Sequence, residues 1–144
     1  VIELSIDIEP VAQGRPRFTR QGHTYDPPKS KAFKRQIKTF FLKEKQRNNL
    51  EAIDGPIEIE LTFYKPLLKS MTIKQKTQAL LKQLLPIKKP DLDNYIKGVL
   101  DGMNGIFWHD DAQIVKLMAY KYYGDKGCID IKIKSYKHKE ENGK

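Results

Sequence analysis

Asp91 and Asp93 stand two apart in Lys88-Lys-Pro-Asp-Leu-Asp-Asn-Tyr-Ile-Lys97, and Lys97 follows Asp93 by four. Pro90 biases the residue before it toward extended backbone, and the residues after it are expected to start a helix. In an extended approach both carboxylates project to one side, and Lys97 falls on the helical face of Asp93. Two such carboxylates make half of a magnesium site, because Mg²⁺ binds through few protein ligands and retains several waters. A second acidic pair, Asp110-Asp111, stands in Phe107-Trp-His-Asp-Asp-Ala-Gln113 at the mouth of the next expected strand. A hairpin there could fold it back onto the first pair. A cation among clustered carboxylates relieves their repulsion, polarises a phosphate and lowers the pKa of an attacking water. A nearby lysine offsets the charge of the transition state. The same Asp-x-Asp spacing also serves a structural purpose, with one carboxylate capping orphan N–H groups and the other solvated. Spacing alone leaves both readings open.

A second group of residues is suited to holding phosphates. Arg15, Arg17 and Arg20 fall in a basic, proline-bearing segment with Phe18 and Tyr25 interleaved. Guanidinium groups there could contact phosphates while an aromatic ring wedges or stacks at a distorted step; the plainer alternative is a solvated loop with Phe18 in the core. Lys88 and Lys89 add charge beside the first acidic pair. Lys31, Lys34, Arg35 and Lys38 read as a solvated helix face that strengthens the field. His109 adjoins the second pair, but a magnesium site prefers oxygen ligands, so it reads as a neighbour. Trp108 reads as a core anchor, Asp101 as an ion-pair partner of Lys97, and Gly98 with Gly102 as a small side permitting close packing.

The elements that must position these residues follow from periodicity. Ile2, Leu4, Ile6 and Ile8 alternate with polar residues as a half-buried strand, as do Ile57, Ile59, Leu61 and Phe63. A short hairpin turning at Gln21-Gly22 is expected between Pro10 and Pro28. Ser30 can cap a helix whose Phe33, Ile37, Phe40 and Phe41 share one face. A second helix is expected from about Thr72 to Leu85, with Ile73, Leu80, Leu81 and Leu84 inward and Pro86 as its stop. The acidic segment begins a third helix, ended by Gly105. Val115 to Tyr123 is strand-like with a blurred period. Ile129, Ile131 and Ile133 form a last strand, expected to pair with it as a hairpin. This order points to a mixed α/β (α+β) fold: one domain over residues 1–136, a mixed sheet covered by helices, and a charged tail at 137–144.

A chain of 144 residues has the length of one ordinary domain. It carries 27 Lys and Arg against 18 Asp and Glu, a net charge of +9, which favours nucleic acid or another polyanion as partner. No run approaches a membrane span, no secretory signal opens the chain, and a cytoplasmic setting is expected. The lone Cys128 excludes an intramolecular disulfide and a cysteine-based metal site; it reads as a buried, inert thiol.

Residues 88–123 resemble the RusA family of Holliday-junction resolvases. The signature is a basic residue, Asp91-Leu-Asp-Asn94, the helical Lys97, and then the aromatic-rich Asp110-Asp-Ala-Gln113 segment. Gly14-Arg-Pro-Arg-Phe-Thr19 resembles one branch of that family, and the helix near 70–85 looks like an elaboration. The resemblance implies that Asp91, Asp93 and Asp111 are the catalytic carboxylates and bind Mg²⁺. It implies that Lys97 is catalytic or contacts phosphate, and that Asp110 supports its neighbour. It further implies a homodimer acting on branched DNA in recombination and repair, in the cytoplasm of a bacterium and of phage or prophage origin. Paired nicks would leave 5′-phosphate and 3′-hydroxyl ends, with no small-molecule cofactor and no membrane partner. A non-catalytic basic DNA-binding protein and a metal-dependent phosphoesterase of small substrates are the competing readings.

Overall fold

A computed structural model of the chain describes residues 1–11, 17–18, 20–22, 24–25 and 28–137. The alternation of Ile57, Ile59, Leu61 and Phe63 with Glu58, Glu60 and Thr62 becomes strand β4 (Ile57–Pro66), with the first set buried. It is the second of three strands that follow the same logic. β1 (Ile2–Ile6) precedes it, and β6 (Cys128–Ser135) buries Ile129, Ile131 and Ile133. β5 (Ile114–Gly124) completes a four-stranded sheet in the order β1-β6-β4-β5. A separate pair, β2 (Arg17–Phe18) and β3 (Thr24–Tyr25), forms the expected short hairpin, with Gly22 at a φ of 83° in its turn.

The helices cover one face of the sheet. α1 (Pro28–Arg47) buries Phe33, Ile37 and Phe41, and α3 (Leu92–Met103) buries Tyr95, Val99 and Met103. Together with the inward strand residues and Phe107 and Trp108, these make one continuous core. α1 and α3 approach closely because Gly102 has no side chain; a Cβ there would stand 2.9 Å from Ile37 Cγ2. Close packing is thus the role of that small position. Phe63 stacks on Tyr95 with ring centroids 5.2 Å apart, tying α3 to β4. The mixed α/β architecture matches the expectation, and among the described residues no helix is long and apolar enough to cross a membrane.

Three expectations are corrected. β5 and β6 do not pair as a hairpin: both pair with β4, which lies between them, β5 parallel and β6 antiparallel. The short connection between them passes over the end of β4, where Gly124 leaves room; a Cβ on it would come within 2.9 Å of Tyr64 Cβ and 3.1 Å of Lys126 O. The blurred period of β5 is a register shift, Ile57 facing Ile114 and Glu58 facing Lys116, so that Val115 is an extra residue in the strand. Finally, α2 (Ile73–Leu80) is shorter than the pattern suggested and turns the other way. Thr72 and Gln75 cap it reciprocally, yet only Ala79 is buried, and Ile73, Leu80 and Leu81 are exposed. The helix lies beside β5 with Ala79 as its one buried residue, and Leu80 and Leu81 stay about half exposed or more.

Candidate active site and nucleic-acid interface

Asp91 occupies the N-cap position of α3 with extended backbone, φ −71° and ψ 147°, yet its carboxylate makes no capping hydrogen bond. Asp93 lies in the first turn and Lys97 one turn further, and all three side chains are exposed. No hydrogen bond or ion pair commits any of them to another described residue. A cap would consume one carboxylate; here both remain available beside the positive end of a helix dipole, where anions are favoured. Asp101, expected to pair with Lys97, instead meets Lys34 of α1 at 3.3 Å. Lys97 therefore has no acidic partner on its own helix.

The segment leading into α3 is held from below by strand lysines. Lys121 of β5 donates to Lys88 O at 3.2 Å and to Pro90 O at 3.0 Å, and Lys65 of β4 reaches Lys89 O at 3.5 Å. These carbonyl contacts fix where Asp91 stands. Sequence reasoning missed both lysines, although each occupies the inward phase of its strand, after Phe63 and Ala119, where a charge must find a partner. The Lys88 and Lys89 side chains themselves are exposed. Beside Pro90 a cleft of about 440 Å³ is lined by Glu9, Val11, Lys29, Lys65 and Tyr95. Val11 and Lys29 bracket the arginine-bearing segment in sequence, and both line this cleft beside Pro90. Arg20 is exposed at the hairpin turn and Arg17 stands on β2; Arg15 lies outside the described residues, as do His23 and 138–144.

The second acidic pair is built by a different device. Trp108, fully buried, donates its indole N–H to Asp111 Oδ1 at 2.7 Å. Asp110 caps the short 3-10 turn at Asp111–Gln113 by accepting from Ala112 N. Gln113 Oε1 accepts from the backbone N–H groups of His109 and Asp110, and its amide donates to the carbonyls of Ile53 and Gly55. Gln113 thereby clamps this turn to the start of β4. His109 Nε2 lies 2.7 Å from Asp54 Oδ1, a surface contact away from Asp91.

The two acidic groups do not converge within one chain. Asp91 precedes α3 and Asp111 follows it; the 12-residue helix is about 18 Å long at about 1.5 Å per residue. β5 gives the same answer, since Asp111 lies before its first residue whereas Lys121, near its end, holds Pro90. The fold-back expected for Asp110-Asp111 is absent because β5 runs parallel to β4 and carries the chain away from that pair. Among the described residues no three His, Cys, Asp or Glu side chains gather as a metal group. Cys128 contacts Ser5 and Asp130, and burial pushes its thiol pKa up, in keeping with an inert role.

Comparison with known proteins places this geometry. The sequence model described as Endodeoxyribonuclease RusA matches residues 7–134. The protein YqaN of Bacillus subtilis (strain 168) is 39% identical over 138 residues, covering 92% of this chain and 95% of that protein. The "Crossover junction endodeoxyribonuclease rusA" of Lactococcus phage r1t is 32% identical over 98 residues, covering 67% of each. A match across nearly the whole fold, including both acidic segments and the helix between them, shows that this chain belongs to the RusA family of endodeoxyribonucleases.

Proposed function

We propose that this enzyme is a magnesium-dependent nuclease that resolves four-way DNA junctions, acting as a two-fold dimer in recombination and repair of bacterial or phage DNA. The observation that carries this reading is the uncommitted pair Asp91 and Asp93, one at a helix N-cap it does not cap, with Lys97 on the next turn. Two oxygen-donor side chains with nothing else to bind fit a hard divalent cation that keeps most of its waters. Bound there, magnesium would supply phosphate polarisation and a more acidic water. Lys97 offsets the charge that builds on the phosphate during attack. Arg15, Arg17 and Arg20, with Lys88 and Lys89, hold the backbone of the arms near that helix end. The relative from phage r1t, named as a crossover junction endodeoxyribonuclease, supports the substrate.

The dimer is argued from the third carboxylate. Asp111 stands a helix length from Asp91 in its own chain, so a set of three requires Asp111 of the partner subunit. A two-fold axis supplies two such sets, and two matched nicks on opposed strands are what junction resolution needs.

The test pairs a gel-shift titration with single-turnover cleavage of a labelled four-way junction in Mg²⁺. Asp91→Asn, Asp93→Asn and Asp111→Asn are each expected to abolish cutting while leaving junction binding equal or tighter, because a charge that repels DNA is removed along with a ligand. Lys97→Ala is expected to lose cutting as well. Ca²⁺, larger and less strict in geometry, is expected to support binding with little cleavage. Asn variants that cut at the wild-type rate would reduce these carboxylates to solvated side chains and leave a DNA-binding protein without this chemistry.

A further inference from the structure

The Asp91 carboxylate makes no capping hydrogen bond, so no such contact decides where its oxygens stand. The backbone must do so. Asp93 is placed by the first turn of α3, but Asp91 lies one step outside the helix with extended φ and ψ. On the helix side, Asp91 O accepts from Asn94 N at 3.2 Å and from Tyr95 N at 3.3 Å. Tyr95 in turn stacks on Phe63 of β4. On the other side the chain is held by Lys121, which donates to Lys88 O and to Pro90 O, with Lys65 at the limit of hydrogen-bond distance from Lys89 O. Phe63 and Lys121 face each other in the β4–β5 register. A single rung of the sheet thus carries both fastenings, the ring that receives Tyr95 and the ammonium that receives Pro90, and Asp91 lies between them in sequence. Lys121 is half-buried, where a lysine is ordinarily paired with a carboxylate. Among the described residues it has no such partner and directs its charge at two carbonyls of an irregular segment. Charge-assisted hydrogen bonds of this kind are about twice as strong as neutral ones.

We propose that Lys121 is a positioning residue for the reaction. It pins the 88–90 segment to that rung and thereby sets where the Asp91 carboxylate stands relative to Asp93. The inference rests on the function proposed above and deepens it: Lys121 acts through the backbone, touching neither metal nor substrate. Its loss frees Asp91 while leaving Asp93 and Lys97 on an intact helix. The site then keeps its ligands and loses their spacing, and a magnesium ion, strict in its geometry, is held less well.

The test uses Lys121→Met, which keeps the length and apolar stem of the side chain and deletes the donors. Without any metal, amide hydrogen exchange at Asn94 and Tyr95 is expected to quicken, because both donate to Asp91 O, while exchange in β4 and the later turns of α3 stays as in the wild type. In single-turnover cleavage of a four-way junction, the Mg²⁺ concentration for half-maximal rate is expected to rise about 10–100-fold. Junction affinity in the absence of divalent ions should not change. Lys121→Arg, which retains charge and donors, is expected to recover most of both losses. Lys132→Met, removing the same charge from an exposed position on β6, should match the wild type throughout. Lys121→Gln, a shorter side chain with a neutral donor, carries the same measurements where Lys121→Met does not fold. Unchanged exchange at Asn94 and Tyr95 overturns the proposal. So does a fall in junction affinity with a salt slope flatter by about one contact, which would make Lys121 a phosphate ligand. A wild type that never cuts sinks the nuclease reading, and the exchange measurement then scores the pin by itself.

Discussion

The indole N–H of Trp108 holds one oxygen of Asp111 at 2.7 Å, while the other has no partner among the described residues. A buried ring that aims a surface carboxylate is a positioning device, and removing such support typically costs about 10–100-fold in metal affinity or activity. Trp108→Phe keeps much of the ring's burial but deletes the donor. It is expected to raise the Mg²⁺ concentration needed for half-maximal cleavage by roughly that factor, with DNA binding in Ca²⁺ unaffected. An unchanged magnesium dependence would mean that Asp111 needs no orientation. The placement of Asp91, Asp93 and Lys97 at the start of one helix was legible in the sequence because all three lie within seven residues, and local spacing decides which side they face. The roles of Lys65, Lys121 and Gln113 were not, because each acts on backbone carbonyls far along the chain, and no local pattern records those contacts.

At the scale of elements, the arginine segment and the crossing at Gly124 can be probed separately. Junction affinity should fall with salt, with a log–log slope of about −0.9 for each phosphate neutralised. Replacing Arg15, Arg17 and Arg20 with Ala is expected to flatten that slope by about one to three contacts; an identical slope would take the segment off the DNA surface. Gly124→Val would push a branched side chain into Tyr64 where the β5–β6 connection crosses β4. The expected cost is about 1–3 kcal/mol by chemical denaturation, and an unaltered midpoint would show that the crossing has slack. The alternation of β1, β4 and β6 and the inward face of α1 were readable because burial on one face writes itself into the period. Sheet order was not, since a short connection after a glycine looks the same whether it closes a hairpin or straddles a third strand. The face of α2 misled for a related reason: the apolar period shows that a face is to be covered, not that its own chain covers it.

At the scale of the whole molecule, the separation of Asp91 from Asp111 makes a sharp prediction. In a mixed dimer of Asp91→Asn with Asp111→Asn subunits, shared sites would place both lesions in one site and none in the other. Co-expression of the two inactive variants is therefore expected to restore nicking of one strand without paired resolution. Self-contained sites would carry one lesion each, and no nicking would return. The strand order has a consequence for how the chain comes to exist. In the four-stranded sheet β4 and β5 are the one hydrogen-bonded pair of strands adjacent in sequence, and two helices separate them; β1 waits for β6, and the other side of β4 waits for β6 as well. Each pairing must close a long loop before any contact compensates for the lost entropy, and such topologies fold slowly compared with helical bundles. On the ribosome the first strand emerges with no sheet to join, and it stays unpaired until the last apolar run, Ile129 to Ile133, has been made. Termination between β5 and that run would release a chain with an open edge on β4 and an orphaned β1, material for aggregation and for the cell's proteases.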